Sequence, residues 1–352
     1  MSAPVDLLRD IVRIPSVSGD EAACRDHLAR WLREHGAEVH VSGRNVWGVV
    51  EGQRAAPPAR GLLLLTHVDV VPVGPGWTRE PWDGALEGGK VFGRGSNDAK
   101  SSVAAMAHAL VSVDRTRLAG RLVAALVCDE ETGGQGIEAI TGLLPAYDAA
   151  VVGEPTGLEV CPGQRGLLRV TLEAQGRSCH ASRPWEGENA VAKAARDVVA
   201  VQALDLGAPD PELGPATLQC TVIQGGTKPN VLPGSCTVDL DGRPTPGCDN
   251  QRMLELLRGA VASRVVVKST RFLPVRTPRE ARIVECALAA SPAQRLGRFG
   301  GVSDLHHVRH VPGVVMGPGT SAASHAPDEW VAVEQVEEAA RAYRALAERY
   351  LA

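Results

Sequence analysis

His67 and Asp69 stand two residues apart in the stretch GLLLLTHVDVVP, Gly61–Pro72. On a strand, residues two apart share a face. A carboxylate beside an imidazole can hold one ring nitrogen and leave the other free for a metal. Taken alone, the pair reads equally well as a satisfied histidine at a strand end. Further along, Asp98 closes a Gly-rich loop, Glu130 and Glu131 follow RLVAALVCD, Glu154 follows YDAAVVG, and His325 lies in GPGTSAASHAPDEW. Each is ordinary in isolation: Asp98 a helix N-cap, Glu130 and Glu131 a solvated loop pair, Glu154 a turn residue before Pro155, His325 a surface histidine. Together they are hard carboxylates and imidazoles placed just past apolar runs. That donor set suits zinc, and its size suits two ions sharing a carboxylate.

The apolar runs are the elements that must position these groups. Leu62–Leu65 is a continuous run of the kind expected in a central strand covered on both faces. Arg121–Cys128 and Tyr147–Val152 repeat the pattern, so each of three strands deposits acidic or imidazole groups beyond its carboxyl end. In open α/β sheets that edge is where ligands bind. Helices are predicted over Pro4–Arg13, Asp20–His35 (stopping at Gly36), Lys100–Val113 and Gly136–Leu144, with strands over Glu38–Ser42 and Asn45–Glu51. Arg54–Arg60 reads as a Pro/Ala loop, and the Gly/Pro-rich segment before Asp98 as a surface loop with a job.

From Gly166 the pattern changes to alternation at Leu168, Val170, Leu172 and Ala174. A helix over Asn189–Leu204, strands over Ala216–Gln224 and Ser235–Asp241, a helix over Asp249–Ala262 and a strand over Arg264–Phe272 follow. Strand, helix, strand, strand, helix, strand is the order of a ferredoxin-like α+β sandwich with one solvated sheet face. The fold class expected is therefore α/β: a central, mostly parallel sheet with helices on both faces, spanning residues 1–165 and 277–352, with an inserted ferredoxin-like domain over 166–276. The last helix is predicted from Val333 to Leu351.

Composition narrows the remaining classes. At 352 residues the chain is long enough for two cores. A formal net charge of -4 offers no electrostatic case for nucleic acid or an acidic membrane as partner. No apolar run approaches a membrane span, and Asp6 and Asp10 interrupt the N-terminal segment, which does not read as a secretory signal. The 8 cysteines contain no CxxC pair and fit reduced, mostly buried thiols in a cytoplasmic protein.

The motifs HVDVVP, GRGSNDAK, DEETGGQG, GEPT and SHAPDE, in that order, resemble the co-catalytic zinc amidohydrolases, the family of acetylornithine deacetylase, succinyl-diaminopimelate desuccinylase, aminoacylase and glutamate carboxypeptidase. The resemblance runs over essentially the whole chain. It implies two Zn2+ per chain, with Co2+ able to substitute. Asp98 would bridge the ions, His67 and Glu154 would complete one site, and Glu131 and His325 the other. It further implies Asp69 as the partner of His67, Glu130 as general base, and a cis peptide at Asp98–Ala99. In the inserted domain, GRSCHAS places His180 where the family has a histidine that crosses a homodimer to the second copy's site. Asn230 and Arg243 fall where the family binds substrate. The activity implied is removal of an N-acyl group, acetyl first, from a small amino acid. SHAPDEW looks most like the AHxPDE pattern of acetylornithine deacetylases, which implies N-acetyl-L-ornithine and arginine biosynthesis. Asp328 and Glu329 could attract the cationic ornithine side chain, or could merely cap the last helix or hold the His325 loop. The alternatives are a succinyl-diaminopimelate desuccinylase, an acetyl-lysine deacetylase, a metallo-dipeptidase or carboxypeptidase, and a non-catalytic metal-binding relative. A two-metal phosphatase would need a phosphate-cradling stretch, and the sequence has none.

Overall fold

Buried β-branched and leucine side chains dictate the centre of the molecule. In the computed structural model, which describes residues 3–54 and 60–352, the strand Gly61–His67 is buried along its whole length. It lies between Arg121–Val127 and Ala149–Val152, parallel to both. The sheet runs Glu38–Ser42, Asn45–Glu51, Arg121–Val127, Gly61–His67, Ala149–Val152, Gly313–Val315. Its four last-named strands are parallel, and the first two form an antiparallel edge. The chain leaves Gly61–His67 for a neighbour on one side and later returns to the other. Gly61–His67 is therefore the switch point of the sheet, whose carboxyl edge is the ligand-binding edge in open α/β folds.

Helices cover the sheet. Lys100–Ser112 buries almost every residue of its length, and Val333–Tyr350 packs a stripe of Val336, Ala339, Ala340, Tyr343, Leu346 and Ala347 into the same core. Gly153 lets the Ala149–Val152 strand end close to the first of these, since a Cβ there would meet Ser102 Cβ at 2.7 Å. The helix Ala22–Glu34 ends in a Schellman motif: Ala37 N–H donates to the Leu32 carbonyl and Gly36 N–H to that of Arg33, with Gly36 at φ +86°. The loop read over Arg54–Arg60 lies largely outside the described residues.

The chain forms two compact units, one of residues up to Gly163 with Thr277–Phe299 and Ser303–Ala352, the other of Gln164–Arg276 with Gly300–Val302. The second carries a four-stranded antiparallel sheet in the order Thr217–Gly225, Ser235–Arg243, Leu168–Gln175, Arg264–Ser269, with helices Ala190–Gln202 and Asn250–Ala260. Asn189 and Asp249 cap those helices through side-chain oxygens that accept from Ala192 N and Arg252 N.

Three expectations shift. The helix read to Leu144 ends at Ile140, because Gly142 follows within one turn. The strand read to Phe272 stops at Ser269, after a register shift between Val267 and Ser269. Asp98 is not an N-cap: Ala99 occupies that position, without a side-chain bond. Among the described residues no helix is long and apolar enough to cross a membrane.

Leu64 is fully buried at the middle of the switch-point strand. Leu64→Ala is expected to cost about 3 kcal/mol, read as a lower transition midpoint in urea; a loss under about 1 kcal/mol would contradict its central position.

Candidate metal centre

The parallel strands deliver their polar groups to one edge. His67 is the last residue of Gly61–His67, Glu130 and Glu131 follow Arg121–Val127, and Glu154 follows Ala149–Val152. Asp98 and His325 arrive on loops that precede Lys100–Ser112 and Trp330–Ala332. The peptide between Asp98 and Ala99 is cis.

Two clusters of potential ligand atoms result, His67–Asp98–Glu154 and Asp98–Glu131–His325, with the atoms of each within 4.8 Å of one another. Asp98 belongs to both: Oδ1 is 3.4 Å from His67 Nε2 and Oδ2 is 3.6 Å from His325 Nε2. Glu154 Oε1 is 4.0 Å from His67 Nε2, and Glu131 Oε1 is 3.0 Å from His325 Nε2. Ligands about 2.1 Å from a tetrahedral ion stand about 3.4 Å apart, so the spacing fits a small cation in each cluster. Glu154 Oε1 is buried and has no hydrogen-bond partner. A buried carboxylate oxygen without a donor is what an ion would satisfy.

The electrostatics agree. Burial first, then the Glu154 charge, pushes the Glu130 carboxyl well above the usual range, with further contributions from Asp304 and Glu131. Burial also raises Glu154. Burial opposes the charged form of Asp98, but bonding to His67 and its charge hold that carboxyl below the usual range. His325 is raised, chiefly by its bond to Glu131.

Asp69 departs from the strand-face expectation, because the strand ends at His67 and alternation does not extend beyond it. The nearer acceptor of His67 Nδ1 is the Asp69 backbone carbonyl at 2.9 Å; the carboxylate stands at 3.5 Å. That carboxylate accepts instead from the backbone N–H groups of Glu130 and Glu131, each at 3.1 Å, and from the Ser18 hydroxyl at 2.7 Å. Nε2 of His67 is left for the cluster, and the loop bearing Glu130 and Glu131 is tied to the His67 loop.

A third group, Glu21–Cys128–Asp129, has ligand-like spacing but another occupant. Arg44 donates to Glu21 and, through both terminal nitrogens at 3.1 and 2.6 Å, to Asp129. The Cys128 thiol is pushed up to about 12 by burial and by Asp129. A guanidinium already fills this group, and a protonated thiol is no ligand.

The acidic pair after His325 is engaged structurally. Asp328 accepts from the Thr78 N–H and hydroxyl and from Arg79 N–H. Glu329, 1% exposed, pairs with Arg94 and accepts from the N–H groups of Asn97 and Asp98. Both residues hold the loop; neither caps the last helix, whose N-cap is Ala332, and the Glu329 carboxylate is buried against Arg94. Arg94, Ser18, Arg44 and Lys100, whose buried Nζ donates to the Ile11 and Ile14 carbonyls, went unnoticed in the sequence. The GRGSNDAK motif contains Arg94 and Lys100 and is the one local signal for those two; Ser18 and Arg44 have none.

His180, Asn230 and Arg243 belong to the second unit. His180 is exposed, and its Nδ1 faces the Ser182 hydroxyl at 2.8 Å and the Ser182 N–H at 3.2 Å. Ala181 N–H donates to the Asn230 carbonyl, pairing the two loops. Arg243 directs Nε and Nη2 at the Asp241 carboxylate.

A family model described as peptidase family M20/M25/M40 matches residues 63–349. The chain belongs to this family. It is a hydrolase of amide bonds. A succinyl-diaminopimelate desuccinylase of Variovorax paradoxus is 30% identical, covering 99% of this chain and 98% of the relative. A probable carboxypeptidase of Emericella nidulans is 28% identical over 97% of this chain and 88% of its own. The fold is that of the YXEP protein of Bacillus subtilis, a dinuclear metal binding peptidase of the M20 family: TM-score 0.74 at 16% identity, over 99% and 97% of the two chains. The mostly parallel sheet flanked by helices is thus the fold of an M20 peptidase.

In this M20 peptidase Arg44 pairs with Asp129, the residue before Glu130, and the Glu21 side chain it also meets is fully buried. Arg44→Ala is expected to lower stability by about 2–3 kcal/mol, less than for a fully buried pair because a third of Arg44 is in water. Urea unfolding checks this; an unchanged midpoint would show that Glu21 finds another partner.

Proposed function

We propose that each cluster holds a divalent cation, zinc or cobalt, with Asp98 shared, and that the protein removes a short acyl group from an N-acyl amino acid. The observation that carries this is the division of Asp98, one carboxylate oxygen toward His67 and the other toward His325. The dinuclear relative in fold supports the ion count. When bound, two such cations polarise an amide carbonyl and lower the pKa of a water molecule.

The remaining work falls to this chain's residues. Glu130, within electrostatic reach of His67, Glu154 and Glu131 but a member of neither cluster, takes the proton of the attacking water and passes it to the leaving nitrogen. His180, whose Nδ1 is engaged by Ser182 so that Nε2 faces outward from that contact, donates to the developing oxyanion. Its reach is across a homodimer, into the second copy's site. The edge strand Thr217–Gly225 exposes Val222 and Ile223, 44% and 54% accessible, which favours association through this unit. Asn230 and Arg243 read the substrate; with Nε and Nη2 on Asp241, Nη1 of Arg243 is left for a carboxylate.

N-acetyl-L-ornithine stands among the substrates on the SHAPDEW resemblance, to which Glu329, buried against Arg94, adds nothing. The desuccinylase relative favours a succinyl group equally. The carboxypeptidase relative favours a second reading, a peptide substrate with a free carboxylate. A non-catalytic role is disfavoured, since ligands and base are all present.

Metal analysis of zinc-reconstituted protein is expected to find about two ions per chain, with activity lost to chelation and restored by zinc or cobalt. Glu130→Gln should keep the ions and lose several orders of magnitude in kcat. One ion or none in the wild type would sink the two-metal reading; near-normal turnover by the variant would move the base elsewhere.

Mixing inactive Glu130→Gln with inactive His180→Ala subunits should restore activity, because a heterodimer holds one site with both residues intact. No recovery after verified subunit exchange would mean that His180 acts within its own chain or not at all.

Among acetylornithine, acetylcitrulline, acetyl-lysine, succinyl-diaminopimelate and a set of dipeptides, an N-acyl amino acid should lead the dipeptides in kcat/KM by tenfold or more, about 1.4 kcal/mol in the transition state. A dipeptide in the lead would replace the deacylase reading with the carboxypeptidase one.

A further inference from the structure

We propose that the buried pair Arg94–Glu329 is a positioning device that sets the separation of Asp98 and His325; this rests on the reading that both residues hold metal. Both side chains are almost inaccessible, at 2% and 1%. Trp330–Ala332 pairs antiparallel with Lys90–Phe92, and Gly93 N–H donates to the Glu329 carbonyl, so Arg94 and Glu329 meet at the end of a short ladder. Glu329 divides its carboxylate. Oε1 accepts from the backbone N–H groups of Asn97 and Asp98, both at 3.0 Å, and Oε2 accepts from Arg94 Nη1 at 2.5 Å. Arg94 then donates through Nη2 to the His325 carbonyl at 3.3 Å. Its guanidinium lies over the Trp77 ring, 5.2 Å from the centroid.

One ion pair therefore grips the backbone of the bridging aspartate with one end and the backbone of the terminal histidine with the other. Asn97 repeats the connection in parallel: Nδ2 donates to the Thr320 carbonyl and the Ser324 hydroxyl, and Oδ1 accepts from Thr320 N–H, on the loop that leads into His325. His325 is half exposed and carries a left-handed backbone, φ 62°. Nothing in regular secondary structure fixes it, so these bonds must. Neither Arg94 nor Glu329 belongs to a ligand cluster; both act through the residues they hold.

The full-length protein, stripped of metal, is titrated with Co2+ while visible absorption and calorimetry report affinity for each equivalent. Circular dichroism and melting of the apo protein report the fold. Glu329→Gln keeps the acceptor for the two N–H groups but turns an amide donor toward Arg94. It should bind cobalt at least about tenfold more weakly, in line with losses of partners that orient ligands, and lower kcat with KM within about threefold. Arg94→Lys keeps the charge but cannot reach Glu329 and the His325 carbonyl together. It should weaken one cobalt equivalent more than the other, since His325 loses a donor to its carbonyl while Asp98 keeps Glu329, and Glu329→Asp should recover part of the affinity lost in Glu329→Gln. Wild-type cobalt affinity in both Glu329→Gln and Arg94→Lys, with only the apo melting temperature lowered, would make the pair merely structural and overturn the proposal. Should Glu329→Gln fail to fold, Arg94→Lys decides alone, and unfolding of both counts against positioning. A wild-type protein that takes up no cobalt would instead refute the metal reading.

Discussion

The crowding of negative charge at the carboxyl edge of one sheet is the constraint on which the rest depends. Two carboxylates about 4 Å apart repel by about 4 kcal/mol even at an effective dielectric of 20. The protein neutralises part of this charge itself. Arg44 lies between Glu21 and Asp129, and Arg94 against Glu329. Asp98, Glu131 and Glu154 meet His67 and His325 instead. On the proposed reading, cations held in the two clusters offset the remaining charge, and ion binding and stability would then be linked.

The scaffold explains how such an edge can be assembled. Hydrophobic burial along Leu62–Leu65, Leu122–Val127 and Ala149–Val152 fixes the parallel strands, and their ends are then within reach of one another without any attraction between the polar groups. The loops are a different matter. Each is held by a carboxylate that binds backbone rather than a ligand: Asp69 accepts from Glu130 and Glu131 N–H, Glu329 from Asn97 and Asp98 N–H. A charged acceptor for two N–H groups makes strong, directional bonds in a buried setting. Acidic residues here thus do two jobs, and one kind keeps the other in place.

The second unit is built on other terms. Its antiparallel sheet buries one face against two capped helices and leaves the other to solvent, and it presents His180, Asn230 and Arg243 on loops and a strand end. Asp241 holds the Arg243 guanidinium in one orientation. A side chain ordered in advance loses less freedom when it meets a ligand.

Much of this was legible in the sequence, because its signals are local and periodic. Continuous apolar runs marked the central strands, alternation marked the second sheet, and the ordered motifs picked out His67, Asp98, Glu131, Glu154 and His325 as one set. Other features depend on partners far apart in the chain. Nothing local distinguishes Glu329, buried against Arg94 some 235 residues away, from an exposed acid beside a histidine that could attract a cationic substrate. Nothing local shows that the Asp69 carboxylate serves the Glu130–Glu131 loop more closely than it serves His67, or that Arg44 turns a ligand-like trio into a closed ion pair. Residue type and spacing determine which groups are available to bind a cation. Which of them are already satisfied by another part of the chain is a question of burial and hydrogen-bond partners, and those exist only once the chain has folded.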